Sequence, residues 1–151
     1  MNNIKSPIPA VRAVVIEGDN ILLVKRGHSP GKGLWSIPGG SIELGESIYD
    51  ACIRELFEET NIRARPIGII NISEYIELKS KNIRYHYVLI DILMKPETSL
   101  DKAKALSDAV DVGVFKLNEA LRLKLTYATR TLIKCLIKGN ITILDIFGGR
   151  I

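Results

Sequence analysis

The residues from Gly40 to Ile62 constrain this 151-residue chain more than any other stretch, because their spacing fixes both a turn-to-helix unit and what that helix carries. Glycine 40 is followed after five residues by Glu46, and after seven more by Arg54-Glu55-Leu56-Phe57-Glu58-Glu59, with Thr60-Asn61-Ile62 leaving the segment. Ser47 and Asp50 have the spacing of a capping box, with Asp where Glu or Gln is usual, so a helix is predicted from Ser47 to Thr60. On that helix Glu55, Glu58 and Glu59 are related by i,i+3 and i,i+4 and are expected to point the same way. Tyr49, Cys52, Ile53 and Leu56 fall on a neighbouring arc that can pack on a core.

Glu46, Asp50, Glu55, Glu58 and Glu59 sit here against one basic side chain, Arg54, in a chain whose net charge is +4. A solvated acidic helix face is the ordinary meaning of such a run. The full spacing argues against it. With each fixed residue type at about 6% of positions, six matches at set spacing arise in roughly one chain in 10⁵ of this length. Crowded carboxylates raise one another's pKa unless a cation neutralises them. Hard oxygen ligands favour Mg²⁺, with Mn²⁺ able to substitute, and leave room for phosphate oxygens.

The segment resembles the Nudix box, GX5EX7REUXEEXGU with U aliphatic, found in hydrolases of nucleoside diphosphates linked to another moiety. Gly40, Glu46, Arg54, Glu55, Leu56, Glu58, Glu59 and Ile62 match it. Asn61 stands where the family has glycine; Asn is the next best residue for a left-handed C′ position, so the chemistry should survive the change. The resemblance continues through Leu22 to Gly27 and Gly31 to Gly40. His86 to Asp91 and Ser107-Asp108-Ala109 are similar to a subgroup assigned as ADP-ribose pyrophosphatase-like. It implies an α/β fold, a Nudix-type α/β/α sandwich around a mixed central sheet, over residues 1–151 as a single domain with the box at 40–62.

The resemblance also implies roles. Metal would be held by Glu55, Glu58, Glu59 and the carbonyl of Gly39, with Glu55 orienting or deprotonating the attacking water. Glu46 and Arg54 would form a structural ion pair. A further acidic ligand from a later loop is assigned to Asp108, with Glu97 and Asp111 as rivals. Activity would be Mg²⁺-dependent hydrolysis of a pyrophosphate bond, with ADP-ribose giving AMP and ribose 5-phosphate as the favoured case. A nucleoside triphosphate pyrophosphohydrolase is the alternative. A non-hydrolytic nucleotide- or RNA-binding module is disfavoured because all three box glutamates are kept. Family members are often dimers, so a homodimer is expected.

An adenine ring would stack on an aromatic side chain. Trp35 and Tyr87 are the candidates chosen, among Tyr75, Tyr85 and Phe115. Arg26 is the candidate for phosphate, with Arg12 and Lys32 also considered, and no role is given to His28 or His86.

Elsewhere the chain reads as strands at Val11–Ile16, Ile21–Lys25, Leu34–Ile37, Arg65–Ile76, Ile83–Met94 and Val112–Leu117. A helical turn is expected at Asn118–Leu123. Thr126 caps a helix running to Lys138 and stopping at Gly139, and Ile141–Phe147 is either a last strand or a docked tail. Hydrophobic residues at 46% and charged residues at 25% suit one globular domain. No run is long enough to span a membrane, and Met1–Lys5 lacks the apolar core of a signal peptide. Cys52 and Cys135 fall in helices and read as buried thiols, so a cytoplasmic protein is expected. The lysines are too scattered for a nucleic-acid partner.

Overall fold

Strand alternation and two amphipathic helices place the site in this molecule. The computed structural model describes residues 6–146. Strand β1 (Ile8–Glu17) turns through Gly18, whose φ of +63 suits glycine, into β2 (Asn20–Arg26). Two short strands follow, β3 (Trp35–Ser36) and β4 (Gly39–Ser41), then helix α1 (Ile48–Thr60). A long hairpin, β5 (Ala64–Lys79) and β6 (Asn82–Pro96), turns at Ser80-Lys81. Strand β7 (Ala109–Lys116), the short helix α2 (Leu117–Ala120) and helix α3 (Tyr127–Lys138) complete the order.

The sheet is mixed. β1 runs parallel to β6 on one edge, and on its other edge pairs with β4 and, beyond it, with β2. β2 pairs with β3 and β7, and β5 closes the far side against β6. Alternate residues feed two cores. Val11, Ala13, Val15, Leu22, Ile92 and Met94 pack with Ala51, Cys52 and Leu56 of α1. Val14, Ile21, Leu23 and Ile37 pack with Leu132 and Ile133 of α3. Helices on both faces of a mixed sheet make an α/β/α sandwich.

The box helix begins at Ser47, whose side chain accepts from the Asp50 N–H at 3.1 Å. It ends at Asn61 in the left-handed region, φ 62, with the Asn61 N–H on the Phe57 carbonyl at 2.9 Å. Helix α3 is capped by Thr126 and ends at Gly139, φ 71. Between β1 and α3 lies a buried polar network. Arg12 donates to both Asp91 oxygens, at 2.5 and 2.7 Å, and to Thr129 Oγ1 at 3.3 Å, while Asn71 donates to Asp91 at 2.9 Å. A bidentate pair with its remaining donors and acceptors engaged is the form in which buried charge is tolerated.

Several boundaries differ from those predicted. Strand β4 was not anticipated, because two glycines and a serine carry no strand propensity; its pairing follows from close approach to β1. The hairpin strands extend to Ser80-Lys81, both at positive φ, so the polar turn is shorter than its composition suggests. Among the described residues near the C-terminus only Leu144 bridges the sheet, exchanging backbone bonds with Ile69 at 2.8 and 2.9 Å. The tail is therefore docked rather than a full strand as far as Asp145 and Ile146, and Phe147 lies outside the described residues. Cys52 and Cys135 are free, and burial pushes the Cys52 thiol up. Among the described residues no helix is long and apolar enough to cross a membrane.

Candidate active site

The box helix meets β4 at two glycines, and this contact builds the site. A Cβ on Gly39 would lie 2.0 Å from the Val11 carbonyl oxygen, so only glycine lets β4 approach β1. A Cβ on Gly40 would lie 2.4–2.6 Å from the carboxylate of Glu55. Glycine at 40 thus holds open the space into which Glu55 projects. The Gly39 N–H donates to Glu59 Oε2 at 3.1 Å, tying the next turn of α1 to the same loop.

Arg54 organises the outer side. Its Nε and Nη2 donate to the two oxygens of Glu46 at 2.6 and 3.0 Å, and Nη2 also reaches the Ser41 carbonyl at 3.1 Å. Its Nη1 donates to Glu55 at 2.8 Å and to Glu58 at 3.3 Å. The hydrogen bonds from Arg54 hold Glu46 at about 2. Burial acts the other way on the inner pair. It raises Glu55, against the opposing hydrogen bond from Arg54, and raises Glu59 from 4.5 to about 7, against the opposing Gly39 N–H.

A cavity of about 490 Å³ opens at this point, a size that accommodates a small-molecule ligand. Glu55, Glu59, Gly39, Gly40, Arg26 and Asp108 line it, together with Ala10, Leu89, Tyr75, Tyr87 and Tyr127. The Asp108 loop is held against α1 by the Leu106 N–H on the Glu59 carbonyl at 3.0 Å and the Lys104 N–H on the Thr60 carbonyl at 2.9 Å. Asp108 in turn lies 3.9 Å from His28.

The expected residues do not all converge. Glu58 is outside the lining, with its side chain 49% exposed and turned to Arg54. Helix geometry explains this: Glu55 and Glu59 are about 40° apart around the axis, whereas Glu58 and Glu59 are about 100° apart. Among the described residues no group of three or more His, Cys, Asp or Glu is gathered closely enough to hold a metal ion. The donor chemistry nevertheless suits a hard divalent cation, since Glu55 and Glu59 are half-buried carboxylates whose charge burial penalises and a cation would relieve.

Trp35 is not in the cavity. Leu34 and Ser36 line it, so strand alternation sends Trp35 to the opposite face, edge-on to Phe115 with ring centroids 5.2 Å apart. Arg12 borders the cavity but is neutralised by Asp91, and Lys32, Tyr85, Glu97 and Asp111 are outside the lining. Arg26 remains in it, with Nε on the Pro30 carbonyl at 2.5 Å. Tyr127 and Glu43 line the cavity without having been singled out by sequence. Tyr127 follows directly on the Thr126 cap, a position at which an aromatic residue has no periodicity to mark it.

A model of the NUDIX domain matches residues 6–135. An ADP-ribose pyrophosphatase from Methanocaldococcus jannaschii is 29% identical over 117 residues, 78% of this chain and 66% of that protein. The chain spans less than two thirds of the length of that relative, and smaller shares of other curated relatives it matches. The crystal structure of a MutT NUDIX hydrolase from Burkholderia pseudomallei superposes with a TM-score of 0.75 at 25% identity, covering 86% of this chain and 98% of that one. A bifunctional NMN adenylyltransferase/ADP ribose pyrophosphatase from Francisella tularensis, complexed with AMP and a manganese ion, gives a TM-score of 0.70 at 28% identity, covering 90% of this chain and 42% of that one.

Proposed function

This chain belongs to the NUDIX domain family, and from that membership we propose that it hydrolyses the pyrophosphate bond of a nucleoside diphosphate derivative, with ADP-ribose giving AMP and ribose 5-phosphate. The observation that carries the reading is the pair of half-buried carboxylates, Glu55 over Gly40 and Glu59 on the Gly39 N–H, facing one cavity. The jannaschii pyrophosphatase, matched over 78% of this chain, supports ADP-ribose as the case to test first. Residues 1–151 are read as one domain.

Hydrolysis forms a bond from water oxygen to one phosphorus and breaks that phosphorus's bond to the bridging oxygen. A water proton goes to a base, and the leaving phosphate keeps the bridging oxygen. Glu55 is assigned to orient and deprotonate the water. Burial raises its basicity, while Arg54 keeps it aimed and ionised. Arg26 is assigned to a phosphate, and the Arg54–Glu46 pair fixes the loop on which Gly40 lies. The residues that would hold Mg²⁺, or Mn²⁺ in its place, are Glu55, Glu59, Glu58 and the Gly39 carbonyl, with Asp108 the candidate from the opposite loop. A divalent cation supplies a lowered pKa for water and a polarised phosphoryl group.

We also read the protein as a homodimer, supported by Ile72, Ile76, Leu78 and Ile83 exposed on the outer half of the β5–β6 hairpin. Substrate class is tested by a release assay with Mg²⁺ across ADP-ribose, dinucleoside polyphosphates, NADH, and common and oxidised triphosphates. Preferential release of AMP from ADP-ribose is expected. Preference for a triphosphate would replace this assignment by nucleotide-pool hydrolysis.

A further inference from the structure

Basic charge is concentrated in one part of the chain. Between Lys116 and Lys138 six basic residues, Lys116, Arg122, Lys124, Arg130, Lys134 and Lys138, stand against one acidic residue, Glu119. That surplus exceeds the net charge of +4 carried by the whole chain, so the remainder is slightly acidic. Elsewhere Arg12, Arg54 and Arg84 form ion pairs with Asp91, Glu46 and Glu77. Among the described residues none of the six has a carboxylate in ion-pair contact. Along the sequence these cations are too spread to read as one patch. The fold gathers them.

Helix α3 does most of this. Arg130, Lys134 and Lys138 recur every fourth residue, so they form a file roughly 12 Å long that drifts only about 40° per step around the axis. Arg130 donates from Nη1 to the Leu121 carbonyl at 2.9 Å and from Nη2 to the Leu123 carbonyl at 3.0 Å. These bonds hold the segment between α2 and α3 at the head of the file, and Arg122 and Lys124, both exposed, belong to that segment. Lys134 and Lys138 are exposed as well. The other side of α3 is already committed, since Leu132 and Ile133 are buried in the core. The file therefore faces solvent from a rigid support.

A row of uncompensated cations suits a partner that carries negative charge at regular intervals, as a phosphodiester backbone does. A bilayer fits less well. Among the described residues α3 exposes one large aliphatic side chain, Ile137, which is too little to enter the headgroup boundary. We propose that the outer face of α3, with the adjoining segment that carries Arg122 and Lys124, docks a nucleic-acid strand through its phosphates. This surface lies outside the carboxylate cavity, and it does not depend on the pyrophosphatase reading.

The test is fluorescence anisotropy of a labelled oligouridylate titrated with the whole chain over a range of salt, without divalent cation. Wild type should bind with a log–log salt slope of roughly −2, the value for three phosphate contacts on a single strand. Lys134→Gln with Lys138→Gln should weaken binding about tenfold near 0.1 M salt and bring the slope to roughly −0.7. Arg65→Gln with Lys95→Gln removes the same charge from exposed positions on β5 and β6, and should leave the slope unaltered. Melting curves show whether each variant is folded. No binding by wild type, or an equal loss in the two double variants, would overturn the proposal. So would tighter binding to polyglutamate or to phosphatidylserine vesicles than to the oligouridylate. Oligouridylate binding that depends on Lys134 and Lys138 in a protein that hydrolyses nothing would instead sink the pyrophosphatase reading and leave the docking face standing.

Discussion

Glu59 is the residue on which burial and charge conflict most openly. Its carboxyl rises from 4.5 to about 7, with burial the first cause and the Gly39 N–H only partly opposing it. Between those two values the folded protein keeps a proton that the unfolded chain has released, so stability falls as pH rises through the window. The effect is on the order of 3 kcal/mol for a shift of this size. Thermal melts of the cation-free protein should therefore show Tm declining from pH 5 to pH 8, with a flatter profile in Glu59→Gln; parallel profiles would show that the Glu59 carboxyl is not raised. Gly40 makes the complementary point, since its missing side chain is what lets the Glu55 carboxylate lie against the backbone.

At the scale of the element, α1 is defined by its two ends. Ser47 and Asn61 are both visible in sequence, one as a cap and the other as a substitute for glycine, and both adopt the expected geometry. Asn tolerates the left-handed region at a cost that glycine avoids, so Asn61→Gly is expected to raise stability by about 0.5 kcal/mol. A chemical denaturation curve checks this, and a lower midpoint would mean that the Asn61 side chain has a contact of its own. The orientation of side chains around α1 was less legible. Spacing alone put Glu55, Glu58 and Glu59 on one face, yet a 100° difference between Glu58 and Glu59 is enough to leave Glu58 on Arg54. Trp35 was misplaced for a similar reason, because the exposure of one face of a two-residue strand cannot be read without its partners. The β4 contact depends on the absence of a side chain at Gly39, which leaves no periodic trace.

For the whole molecule, the sandwich and the carboxylate end of the cavity were legible because they follow from one motif and from apolar alternation. Tyr87 was legible as an aromatic candidate, whereas Tyr127 was not, since it follows the Thr126 cap with no periodicity to mark it. The same β5–β6 hairpin turns Tyr75 and Tyr87 to the cavity and exposes Ile72 and Ile76 on its other face. Sedimentation should give twice the chain mass, and Ile72→Glu with Ile76→Glu should give a folded monomer; a monomeric wild type would remove the dimer. Under the proposed function Glu55 and Glu59 act with a divalent cation on a pyrophosphate. Its most direct test is the rate of AMP release from ADP-ribose in Mg²⁺ by wild type and by Glu59→Gln, with melting curves showing both folded. Release by wild type is expected to stop on chelation and to fall at least a hundredfold in Glu59→Gln. Equal rates in the two proteins, or release that persists without any divalent cation, would contradict it.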